Sequence, residues 1–102
     1  PIKSDDIGLQ IPQCIIKNGE LILKFNEKNV YSGVDNIELF VIEVGNSVFF
    51  VNSRKSHVFD DNIILSTEKG LEPKLPAVIS RDKIRTTIIG SHQSLEFVGC
   101  SG

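Results

Sequence analysis

The densest polar chemistry in the chain is Asn52-Ser53-Arg54-Lys55-Ser56-His57, which sets two hydroxyls, two fixed cations and an imidazole within six residues. A guanidinium offers a planar fork to an oxyanion, an ammonium a point charge, and hydroxyls donate short hydrogen bonds. Such a set can clamp a phosphate or a carboxylate. A second basic cluster, Arg81-Asp82-Lys83-Ile84-Arg85, holds the other two arginines. Arg54, Lys55, His57, Arg81 and Arg85 are therefore the candidate anion-binding residues, provided that the two segments converge. The plainer reading of 52–57 is a solvated loop after an apolar hairpin, and it is preferred. The run is one residue longer than the Ser-Arg-x-His element of forkhead-associated domains and lacks its flanking motifs, so no family is assigned.

Other reactive groups are few: His57, His92, Cys14, Cys100 and scattered carboxylates. His92 and Cys100 lie near each other in sequence, yet nothing orients the imidazole as a nucleophile–base pair requires. No two of these residues have the close spacing of a zinc site. Asp60-Asp61-Asn62 lacks the repeated oxygen spacing of a calcium loop and reads as a turn. The expectation is a non-enzymatic protein with no catalytic residue, no metal and no cofactor. Cys14 and Cys100 fit no redox spacing and read as free thiols sooner than as a bridge, with Cys14 a small buried hydrophobe.

These groups sit in a chain of 102 residues, expected to be a single β domain over 1–102. Ile, Val and Thr supply 26 residues against a single Ala, a balance suited to pleated surfaces. The net charge of −2 provides no bulk field toward nucleic acid or anionic lipid. No apolar run approaches the ~20 residues needed to span a bilayer, so no membrane partner is expected. Pro1 fits a processed start or a fragment boundary equally, and localisation stays open.

Turn chemistry sets the strand registers. Asn18-Gly19, between QCIIK and ELILKF, is a strong two-residue hairpin signal. It places Cys14, Ile16, Leu21 and Leu23 on one face and pairs Lys17 with Glu20. Gly45-Asn46, between IELFVIEV and SVFFVN, makes the central hairpin, with Val44 opposite Ser47 and Val41 opposite Phe50. One face carries Phe40, Ile42, Val44, Phe49 and Val51. The other carries Leu39, Val41, Val48 and Phe50, and a strand pair apolar on both faces needs cover on both. That second face is the candidate interface, to be covered by a partner or by a flap such as residues 67–80. A third hairpin, IRTTII-GSHQ-SLEFV, places Thr86, Ile88, Leu95 and Phe97 together.

Between the hairpins, residues 26–36 read as a connection with a short strand near Val30 and Tyr31. A strand near Val58, a turn at 60–62 and a strand over 63–65 follow. Pro73 and Pro76 predict an extended connection leading to an edge strand at 77–79. The tail from Gly99 is expected to fray. With no helical period, the spacing predicts an all-β, antiparallel β-sandwich of about eight short strands, with a small closed β-barrel as the alternative. The function expected is a protein-interaction or structural assembly module acting through an apolar sheet face or open edge. Its partner would be another protein or a second copy. The runner-up is an anion- or nucleic-acid-binding small β-barrel using loop 52–57.

Overall fold

The computed structural model describes residues 1–53, 56–67 and 74–102. In chain order its elements are β1 (Ile2–Lys3), β2 (Gln13–Lys17), β3 (Glu20–Asn26), α1 (Glu27–Gly33), β4 (Ile37–Val44), β5 (Ser47–Asn52), β6 (His57–Phe59), β7 (Asn62–Ser66), β8 (Arg85–Gly90) and β9 (Ser94–Val98). Short 3₁₀ turns cover Ser4–Ile7 and Arg81–Lys83. The strands form a five-stranded sheet in the order β1-β9-β8-β4-β5 and a four-stranded sheet in the order β2-β3-β7-β6. This is an all-β, sandwich-like fold, and neither sheet closes into a barrel.

All three expected hairpins form in the expected register. Asn18 and Gly19 both take positive φ (54° and 76°), the two-residue geometry whose twist matches that of the strands it joins, and Cys14 then lies opposite Leu23. Gly45 takes φ 59°, while Asn46 stays outside the positive region, so Gly supplies the one conformation that an L side chain resists. Val44 lies opposite Ser47 and Val41 opposite Phe50. In the third hairpin Thr86 lies opposite Phe97 and Ile88 opposite Leu95. Asp60 and Asp61, with φ 52° and 62°, form the tight β6–β7 turn.

The inward faces then meet. Cys14, Leu21, Leu23, Phe25, Ile63 and Leu65 come from the four-stranded sheet; Phe40, Ile42, Val44, Phe49, Val51, Ile88, Leu95 and Phe97 come from the five-stranded one, and all are buried in one core. Phe25 and Phe97 touch edge to face across the two sheets, with ring centroids 5.1 Å apart. A covalent link joins the sheets as well. Cys14 in β2 and Cys100, just beyond β9, form a disulfide with Cα atoms 5.6 Å apart.

Four local expectations are corrected. Residues 27–33 are a helix instead of a connection with a strand: the Asn26 side chain accepts the Asn29 N–H at 3.1 Å, capping its start. Its buried face is Val30 and Gly33, and a Cβ on Gly33 would stand 2.8 Å from Leu95. Only a bare backbone lets α1 lie that close to β9. The cysteines are bridged and not free, because the fold brings together residues 86 apart in sequence. The tail does not fray: Cys100 is buried, and Ser101 forms a parallel bridge with Gln13. Residues 77–79 form no strand; Leu75 and Ile79 pack against the core from an irregular segment.

Candidate functional site

The second face of the central hairpin is the outer surface of the five-stranded sheet. Leu39 and Val41 on β4 are half-buried, Val48 is 36% exposed and Phe50 is 69% exposed. Register sets their neighbours: Val41 lies between Phe50 and Thr87, Leu39 beside Ile89, and Glu43 between Val48 and Arg85. An apolar strip thus runs from the β5 edge inward, with charges at one end. Arg85 reaches Glu96 at 3.9 Å, a loose pair on the same surface.

The other cations are dispersed. Arg81 turns to the far edge of the four-stranded sheet, where its Nη1 donates to the Cys14 carbonyl at 3.3 Å and lies 3.2 Å from the Cys14 sulfur. His57 occupies β6, at the opposite edge of that sheet, and is exposed. Arg85 belongs to the other sheet. Arg54 and Lys55 lie outside the described residues, which include Ser53 and Ser56, joined through the Ser56 hydroxyl donating to the Ser53 carbonyl. The described members of the anion-binding set therefore occupy three separate places. Among the described residues no cluster of His, Cys, Asp or Glu is arranged to hold a metal ion. His92 faces Asp35 at 3.2 Å, on the surface and away from Cys100, whose sulfur is in the disulfide.

Each sheet has two edges, and the four differ. β1 offers two residues and β6 three, too short to template a partner strand. The five residues of β2 are capped by the chain itself: the Cys14 N–H donates to the Ser101 carbonyl at 2.6 Å, and the Ser101 N–H to the Pro12 carbonyl at 2.9 Å. The disulfide anchors that cap beside it. β5 has six residues, Ser-Val-Phe-Phe-Val-Asn, with no charge, no proline and no bulge against β4. From the described residues no main-chain hydrogen bond reaches it from outside its own hairpin; the Ser47 hydroxyl donates to the Lys74 carbonyl at one end.

No family model, curated protein or solved structure matches the chain. Geometry alone must therefore identify the surface.

Antiparallel pairing supplies one more element of it. A two-residue loop makes the flanking pair hydrogen-bonded, and bonded and non-bonded pairs alternate from there. In the first hairpin this counts Lys17–Glu20 as bonded and Cys14–Leu23 as non-bonded, so the Cys14 N–H must point away from β3. There it meets Ser101. The same count in the central hairpin turns the N–H and C=O groups of Val48 and Phe50 away from β4, toward the open side. β5 therefore presents apolar side chains on its outer face and, at Val48 and Phe50, main-chain groups that no described residue bonds; of the flap expected over 67–80, residues 68–73 lie outside the described residues. The missing charges in SVFFVN were the sequence signal for this edge, but strand order was needed to show that β5 is terminal.

The four-stranded sheet also carries apolar residues outside. Ile15, Ile22 and Ile64 line a shallow groove of about 480 Å³ with Gln13 and Lys24. Beside it lies a hollow of about 220 Å³ with Asn26, Asn29 and Asn62 in its wall. Here apolar and polar residues are interleaved, as on an ordinary solvated face. Among the described residues, no helix is long and apolar enough to cross a membrane.

Proposed function

We propose that the protein is a non-enzymatic interaction module that binds protein through the β5 corner, using the outward residues Val48 and Phe50 with Leu39 and Val41 behind them, and the main-chain edge beside them. The observation that carries this reading is the exposure of Phe50, at 69%, on a long, uncharged terminal strand. Natural sheets blunt such edges with charge, proline, bulges or cover. β2 is covered, β1 and β6 are short, and β5 has none of these devices among the described residues. An aromatic beside an open edge supplies both requirements of strand addition: main-chain hydrogen bonds for affinity and side-chain contacts for selectivity. The scattering of Arg81, Arg85 and His57 gives the anion-binding alternative no comparable focus.

The test is site-specific photo-crosslinking in the native cellular extract, with a photoreactive phenylalanine analogue at position 50 or, as the control on the other sheet, at position 15. Discrete protein adducts from position 50 and none from position 15 are expected. Equal labelling at both, or none at 50, overturns the reading.

A further inference from the structure

We infer that the occupant of the β5 edge is the β5 strand of a second copy, paired antiparallel across a two-fold axis at Phe49 to give one continuous ten-stranded sheet. This rests on the interaction reading above and names its partner.

The first support is electrostatic. A symmetric strand pair brings each residue against another from the same short segment, so any lone charge there would risk meeting its own sign, which is destabilising when directly opposite. Ser47–Asn52 contains no charge at all. Four of its six residues, Val48 to Val51, have high β-propensity, and it holds no Pro or Gly, the composition that pairs with copies of itself.

The second support is register. Only residues whose N–H and C=O groups point off the edge can form the new bonded pairs, and in β5 these include Val48 and Phe50. Antiparallel pairing must also keep side chains on matching faces. With the axis at Phe49, Val48 of each copy lies opposite Phe50 of the other, and both pairs are hydrogen-bonded. On the outer face each exposed Phe50 then meets a Val48, an aromatic against a β-branched side chain, which is a favourable cross-strand pair. Phe49 and Val51 remain on the inner face, where each is already 6% exposed, so the sandwich core needs no rearrangement. The symmetry is closed, and assembly stops at the dimer because the opposite edge of this sheet, β1, has only two residues.

The test uses the full chain and two double variants at the exposed positions. Val48→Lys with Phe50→Glu sets opposite charges face to face across the axis, and Val48→Lys with Phe50→Lys sets like charges there. Sedimentation velocity over a dilution series, with circular dichroism to verify the fold, should show a concentration-dependent dimer for the wild type. It should also show a retained dimer for the Lys/Glu variant and loss of the dimer for the Lys/Lys variant. A wild type that stays monomeric at every concentration, or two variants that behave alike, overturns self-pairing. In that event a position-50 crosslink to a different protein leaves the interaction reading standing, whereas no crosslink removes both. If either variant misfolds, Phe50→Pro decides: it deletes an N–H that points off the edge and leaves the β4 ladder intact, so an unchanged dimer overturns the pairing.

Discussion

β2 and β5 are the two edge strands of this sandwich long enough to recruit another strand, and they are managed in opposite ways. Both lie in tight hairpins with the same alternation of bonded and non-bonded pairs. β2 receives Ser101 on its free side; the disulfide and the Arg81 carbonyl, which accepts the Cys100 N–H at 3.1 Å, hold the tail in place, and the Arg81 side chain donates to the Cys14 carbonyl. β5 receives no main-chain partner from the described residues. One edge is thus closed with a covalent anchor, while at the other no described residue bonds the main chain of Val48 and Phe50, beside an exposed phenylalanine; under the proposed reading the first edge holds the fold and the second makes the contact.

The contrast can be broken most sharply at the disulfide. The double variant Cys14→Ser, Cys100→Ser should lose about 4.6 kcal/mol in the chain-entropy account, because the bridge closes a very long loop of the unfolded chain. A denaturation midpoint under non-reducing conditions measures this, and full reduction of the wild type should reproduce it. The same change frees the tail, so Cys14 and its neighbours should gain amide hydrogen exchange while Val48 and Phe50 do not. If exchange at β2 is unchanged, the tail is held without the bridge.

Arg81→Ala should cost about 1 kcal/mol, the net worth of an ordinary hydrogen bond, measured by chemical denaturation. Its effect should be confined to the β2 side and leave association untouched. Phe50→Ser should shift the unfolding free energy by only about 0.5 kcal/mol, as exposed positions do, while weakening any complex detected by sedimentation. A large loss of stability would mean that Phe50 is packed, and the difference between the two edges would shrink. The smallest effect is expected from Ile15→Ser on the outer face of the four-stranded sheet: exposed by 57%, it should change neither midpoint nor sedimentation beyond about 0.5 kcal/mol.

The parts of this fold legible in the sequence were those written in local turn chemistry. Asn18-Gly19 and Gly45-Asn46 set two registers to the residue, and alternation from those turns sorted Cys14, Leu21 and Leu23 from Lys17 and Glu20. What stayed hidden depends on contacts between distant segments. α1 is one short helix whose buried contacts are Val30 and Gly33, too few to show a period, and its place depends on the bare Gly33 backbone against Leu95. The disulfide joins residues whose separation of 86 matches no motif. Residues 77–79 form no strand: Ile79 packs against the margin of the core, while Val78 is 85% exposed. For the candidate site, the sequence identified Leu39, Val41, Val48 and Phe50 as a second apolar face. Strand order then supplied what pattern could not: Leu39 and Val41 lie one strand in, and Phe50 lies on the rim. The basic residues looked concentrated only along the chain; folding carries Arg81 and His57 to opposite edges of one sheet.

The parallel pairing of β1 with β9 has a consequence for biosynthesis. Ile2 and Lys3 find their neighbours only at Leu95 and Glu96, and Cys14 finds its own at Cys100. Translation delivers these partners some 86 residues or more after the residues they meet. The hairpins can form one after another as they leave the ribosome, but β1 and the covalent anchor must wait for Leu95 to Cys100. Such long-range closure is slow, and the waiting intermediates expose strand edges that the finished sandwich covers. A nascent chain stalled before Gly99 would therefore carry β2 uncapped, adding to β5 a second adhesive edge that the folded sandwich covers.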